Sequence, residues 1–263
     1  MKLIRTIIRK EWEDVRRNKL VMSVVVGVPL LMAAIPIIML FIMSRVPTDP
    51  RELEEMGRML ANPIFAGLTP AEALQSVMAS NMLVLFLMMP LMVPVTIAAY
   101  SIVGEKISRS LEPLLATPIS TAQLLVGKGL AAALPGVVMA WFSYGVFLVF
   151  ARIFAVSDRV FSIFIHPMWL IAMFVLSPLL TIMAVNVGII VSSRTTDPRA
   201  AEQLGSLVIL PLMVLFLGAM SGFIMLNNLT FWLASAAVAV LDVGLVYLGV
   251  ALFQRETILT RWK

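Results

Sequence analysis

The chain has 263 residues, of which 60% are hydrophobic and only 13% charged, with a net charge of +5. Soluble domains carry about 25% charged and about 45–50% apolar residues, so this balance, with a mean hydropathy of +0.99, excludes an ordinary soluble domain. The absence of cysteine excludes a disulfide framework and a thiolate metal site.

Residues 2–19, KLIRTIIRKEWEDVRRNK, place Leu3, Ile4, Ile7, Ile8, Trp12 and Val15 on one helical face, with most of the basic residues off it. That pattern predicts an amphipathic helix lying in the membrane interface. It serves either as a topology-fixing anchor or as an elbow that also touches a cytoplasmic partner. Six apolar runs follow, at 20–43, 80–103, 124–150, 168–191, 204–226 and 231–253. Each reaches the roughly 20 residues needed to cross about 30 Å of hydrocarbon. The first is too long for a cleaved signal peptide, lacks a small-residue cleavage site and follows a charged helix. The expected fold is all-α: a polytopic membrane bundle of six transmembrane helices, forming a single domain over 1–263.

Lys and Arg counts orient the bundle, because cytoplasmic loops carry the excess. With the N-terminus inside, fifteen of the twenty basic residues fall in inside segments, and only Arg45, Arg51, Arg58, Arg152 and Arg159 fall outside. Both termini are then cytoplasmic, and the basic charge reflects this asymmetry rather than nucleic-acid binding. The external loop, 44–79, carries two helix-start signatures. Asp49, Pro50 and Glu52 form one; Thr69, Pro70 and Glu72 form the other. They predict two short helices, the second running into span two.

Residues 104–120, GEKISRSLEPLLATPIS, form the connector between spans two and three. Glu105 and Arg109 lie four apart with the acid first, a favourable helical pair, and Glu112 follows three later. Ile107, Leu111, Leu114 and Leu115 make an apolar stripe, and Pro118 stops the helix. Ser120, with Gln123 three later, offers a cap for span three. The connector is either a helix resting on headgroups or a lever whose stripe docks in a partner's groove.

Further along, Pro29, Pro36, Pro90, Pro94, Pro135, Pro178 and Pro211 predict bends in five of the six spans. GAMSG, residues 218–222, has the small-residue spacing of close helix packing. Asp242 falls near the middle of span six, where a carboxylate costs several kcal/mol unless paired, wet or protonated. Asp242 is a candidate for the translocation pathway or for holding the bundle together. Asn186 in span four and Asn81 at the start of span two are weaker candidates, since amides often act only as interhelical glue. His166, the sole histidine, sits at a span edge. A metalloprotease would need more than one such ligand at fixed spacing.

The connector resembles the cytoplasmic signature of type 2 ABC (ATP-binding-cassette) transporter permeases. Glu105, Lys106, Leu111, Glu112, Leu114, Leu115, Pro118, Gly127 and Lys128 match, and the Glu-Pro-Leu-Leu-Ala-Thr-Pro run is especially similar to the NatB-like sodium-exporter branch. Ser110 and Ser108 depart from the usual Thr and Gly. The resemblance implies a permease subunit of an ATP-driven exporter in a prokaryotic inner membrane, paired with a second permease as homodimer or heterodimer. It implies that ATP and Mg are held by a separate ABC ATPase. The connector would then be a coupling helix in which Glu105, Arg109, Glu112 and Pro118 set shape or pair with the ATPase and Leu111, Leu114 and Leu115 fill its groove. This chain carries no phosphate loop of its own: before Gly127-Lys128 stands Ala122 in place of the first Gly, and Gly129 replaces the Ser or Thr. No cofactor is expected in it. The competing reading is a self-contained secondary transporter or channel, which would normally show several intramembrane ionisable groups.

Overall fold

The computed structural model describes residues 2–45, 57–108 and 121–252, which are predominantly helical and include no strand. A helix over Lys2–Arg17 precedes six helices long and apolar enough to cross a membrane: Lys19–Met43, Pro70–Ile107, Val126–Phe154, Asp158–Arg194, Pro198–Met220 and Asn228–Gly249. In hydrocarbon every backbone N–H and C=O must be satisfied within the protein, so so apolar a chain resolves into helices. The all-α, six-span bundle is therefore the fold.

The second span is the hub. Some 78% of its most apolar stretch is buried, against 50% or less for every other span. It packs against the fourth, third and first spans and the start of the fifth. Glycines set these approaches. A Cβ on Gly188 would lie 2.9 Å from the Ala98 Cβ, one on Gly136 2.8 Å from the Pro94 ring, and one on Gly205 2.7 Å from Val95. Thr96 adds a polar tie, donating to Glu202 at 2.7 Å.

The second, fourth and fifth spans start well before the residues that hydropathy suggests, the fourth at Asp158 rather than residue 168. The second begins at Pro70 rather than residue 80, because the Thr69 N–H and hydroxyl both donate to Glu72, at 2.8 and 3.0 Å. Its added turns bury polar groups that tie helix ends together. Gln75 donates to the carbonyls of Leu40 and Phe154 and accepts from the Val156 N–H. The fifth span runs Pro198–Met220 rather than 204–226, started by Asp197 accepting from the Arg199 N–H at 3.1 Å. GAMSG ends it. Gly222 adopts φ +70°, its N–H returns to the Ala219 carbonyl, and Ile224 folds back over Gly218. Gly222 thus makes the helix stop, while Ala219 of the same segment is buried in the core. The signature at Asp49, Pro50 and Glu52 lies outside the described residues, as does Ser120.

Three prolines are preceded by irregular turns: 3-10 turns over Val84–Met88 and Ser206–Ile209 lead to Pro90 and Pro211, and a π turn over Ala172–Leu176 leads to Pro178. A proline has no N–H to give and crowds the carbonyl one turn back, so the ladder shifts to a neighbouring register. At the π turn the Met173 carbonyl, five residues before Pro178, receives the indole N–H of Trp141 instead, at 2.7 Å.

The close approach of the second and fourth spans predicts an asymmetry between two glycines. Gly188→Val should destabilise the protein by about 1–3 kcal/mol through overpacking. Gly104→Ala, facing open space, should stabilise by about 0.5–1 kcal/mol. Thermal unfolding in detergent reads both, and equal effects would contradict the packing described.

Candidate functional site

Of the connector residues singled out by sequence, Glu105 lies within the described structure. Arg109, Leu111, Glu112, Leu114, Leu115 and Pro118 lie outside the described residues. Glu105 is buried at the end of the second span, three residues before the last described position. Its carboxylate is engaged by two lysines remote in sequence, Lys10 at 2.6 Å and Lys128 at 2.9 Å. Lys128 also contacts Glu11 at 2.7 Å and donates to the Ser101 hydroxyl at 2.7 Å. Glu11, Glu105 and Lys128 are 3–7% exposed, whereas the Lys10 side chain is about half exposed. Among the described residues, two buried carboxylates and two ammonium groups thus gather at one point where the N-terminal helix, the second span and the third span meet.

The local sequence explains how this point assembles. Ile4, Ile7, Ile8 and Val15 turn toward the bundle, and Glu11 continues that face at helical spacing. Gly127 lets the helix come close: a Cβ there would sit 3.0 Å from Ile7. The next residue, Lys128, then reaches Glu11. One turn further, Trp12 donates its indole N–H to the Ala131 carbonyl at 3.0 Å. The Gly-Lys pair of the sequence signature is therefore a docking notch followed by a cross-link.

Lys106 points the other way. Its ammonium donates to the carbonyls of Ser192, Ser193 and Thr195 at 2.6–3.1 Å, closing the end of the fourth span where the helix dipole is negative. Adjacent residues Glu105 and Lys106 thus fasten the second span on both sides, immediately before residues 109–120. Beside the cluster a cleft of about 340 Å³ opens, lined in part by Lys10, Asp14, Asn18, Tyr100 and Glu105.

The charges tune one another. Burial alone would pull the Lys10 pKa down, but the carboxylates of Glu105, Glu11 and Asp14 outweigh it and hold it above the ordinary lysine value. Burial alone would push Glu11 up, but the Lys128 ammonium, with Ser101 and Lys10, holds it below the ordinary carboxylate value.

The other two candidates lie on the fourth and sixth spans, which pack against each other. Asp242 is buried on the face of the sixth span that also carries Phe231, Ser235 and Gly249. That face packs against the fourth span, where Phe231 meets Trp169 and Gly249 faces Asn186. Asn186 donates to its own Ile182 carbonyl at 2.9 Å. Among the described residues, neither Asp242 oxygen has a hydrogen-bond partner. His166 accepts from the Met168 N–H and caps the helix that begins at Pro167. Among the described residues no group of three or more His, Cys, Asp or Glu could hold a metal.

The family model described as ABC-2 family transporter protein matches residues 5–253. The chain belongs to that family. It is the membrane component of an ABC transporter, a multi-pass permease with six apolar spans, and membership implies an ABC ATPase partner. No curated protein matches the chain. In the permease, sequence reasoning found Glu105 and matched Lys106 and Lys128 by resemblance, but it missed Glu11 and Lys10. Glu11 was legible as the one acid in register with the isoleucine stripe.

The cluster predicts graded losses. Lys128→Ala leaves two buried carboxylates short of a partner and should cost about 3–5 kcal/mol. Lys10→Ala, at a half-exposed site, should cost about 0–1 kcal/mol. The pH dependence has two edges. Glu11 is depressed, so its contribution holds above 4.5 and is lost as pH falls through the depressed value. Lys10 is raised, so its contribution holds below 10.5 and is lost as pH climbs through the raised value. Unfolding temperatures of the wild type and both variants from pH 3 to 8 test the acid edge; a flat acid limb in the wild type would contradict it.

Proposed function

We propose that this permease is the membrane half of an ATP-driven exporter, in which the coupling segment 104–120 takes the push of a separate ABC ATPase and the Glu105 anchor at its start passes it to the spans. The observation that supports this reading best is the anchor itself. The second span is held to the N-terminal helix and the third span by Lys10 and Lys128 at the start of the coupling segment. A lever transmits force only from a stiff base, and packed interfaces of this kind switch between discrete arrangements rather than yielding gradually. Residues 1–19 and 104–120 then lie on the cytoplasmic side of a prokaryotic inner membrane, in keeping with the excess of Lys and Arg there. A second permease subunit completes the pair, and ATP and Mg are bound by the ATPase.

Within that segment Arg109 and Glu112 pair with the ATPase, Leu111, Leu114 and Leu115 fill its groove, and Pro118 ends the lever. Purification in mild detergent should bring down a P-loop ATPase. Glu112→Ala should lower ATP-dependent transport more than it lowers recovery of that complex. Full transport by the permease alone in liposomes would contradict the proposal and favour a self-contained transporter.

The proposal extends to Asp242 and Asn186 as the polar groups the path uses when the fourth and sixth spans part. Asp242→Asn should change the rate or ion dependence of transport while the complex stays assembled. Unchanged kinetics would leave Asp242 a purely structural group.

A further inference from the structure

Trp12 is amphipathic in its placement: 43% of it is exposed, yet its indole N–H is committed to the carbonyl of Ala131, which is fully buried. Ala131 stands four residues before Pro135 in the third span. In an unbroken helix the N–H of residue 135 would close on that carbonyl, and a proline has none to give. The N-terminal helix therefore supplies from outside the hydrogen bond that the third span cannot make for itself. Trp141 treats the Met173 carbonyl before Pro178 in the same way, so the device occurs twice in the bundle.

What lies next to this bond gives it a consequence. Directly after Pro135, Gly136 is pressed against Pro94 of the second span, where a Cβ would meet the ring at 2.8 Å. The proline sites of the second and third spans thus touch each other, one turn beyond the Trp12 contact. Below it, Glu11 and Ile7 clamp the N-terminal helix to Lys128 and Gly127. From these placements we infer that Trp12 is a positioning residue of transport: through the Ala131 carbonyl, the N-terminal helix sets the bend of the third span at Pro135, and with it the contact on Pro94. A proline bend is a place where a membrane helix changes angle without breaking its other hydrogen bonds. A side chain that caps the freed carbonyl selects one angle, and withdrawing it releases the helix to another.

The inference rests on the ATPase-driven reading above, but half of its test does not. Trp12→Phe keeps an aromatic ring at the site but removes the pyrrole half of the indole, and with it the N–H. It should lower the unfolding temperature of the purified permease by about 2–8 °C, because a buried carbonyl loses its partner. Adding Pro135→Ala restores a backbone N–H at residue 135, so the double variant should regain the part of that loss that belongs to the Ala131 carbonyl. If Pro135→Ala rescues Trp12→Phe no better than it stabilises the wild type, the carbonyl is not what Trp12 serves, and the inference is overturned whatever drives the transporter.

The second arm uses the complex with its ATPase. Spin labels at positions 130 and 150 lie on either side of Pro135, at side chains that are exposed. In the otherwise wild-type complex their separation should change on adding ATP. In Trp12→Phe, and also in the thermally rescued double variant, that change should be lost, which a merely structural role would not produce. An ATP-dependent change of full size in either variant, or none in the wild type, would overturn the inference. Failure of any ATPase to bind the permease would instead count against the proposed function.

Discussion

The structure turns on one buried ammonium group. Lys128 enters the bundle between Glu11 and Glu105, so three helices distant in sequence share a single charge. A buried ion pair adds little to stability when weighed against apolar residues of the same size, because desolvating the charges costs about as much as their attraction returns. What it does provide is register. Lys128 satisfies both acids in one relative placement of the N-terminal helix, the second span and the third. Sliding any of the three by a turn would strand a charge in the interior. Lys10 joins the cluster from the half-exposed side, where Asp14 also approaches it at 3.5 Å.

The rest of the bundle alternates stiff and compliant parts around that point. Glycines 136, 188 and 205 draw the third, fourth and fifth spans onto Pro94, Ala98 and Val95 of the second, closer than any side chain at those positions would allow, which favours rigid packing. Prolines interrupt the same helices, and the turns before Pro90, Pro178 and Pro211 leave the regular ladder. Tryptophan side chains occupy two of the carbonyls exposed by those interruptions. In a membrane an open carbonyl cannot turn to water, so each bend needs a partner from elsewhere in the protein. The placement of those partners determines which bends answer to which neighbouring helix.

Much of this was legible in the residues. Apolar run length gave the six spans, and the Thr69–Glu72 pair marked the true start of the second, although hydropathy placed it ten residues later. The fifth span was misplaced because Gly218 and Gly222 look alike in sequence. Only the positive φ of Gly222 shows that the helix ends there. At the site, local spacing offers Arg109, which lies outside the described residues, as a neighbour of Glu105, but it gives no hint of Lys10 and Lys128, which engage Glu105 from far away along the chain. Helical spacing describes one helix at a time, and the charges that matter here pair between helices. Glu11 was passed over for a related reason: counting apolar residues on a face hides the one acid that shares it.

The central claim is that the N-terminal helix and the end of the second span move as one body. The chain has no cysteine, so paired labels can be placed without background. Spin labels at the exposed positions 9 and 107, in the complex with its ATPase, measure the distance across the charge cluster through the nucleotide cycle. The account predicts one unchanged distance distribution with and without ATP in the wild type, and a broadened one when Lys128 is replaced by Ala. A distance in the wild type that shifts with ATP would contradict it, because the anchor would then be a joint.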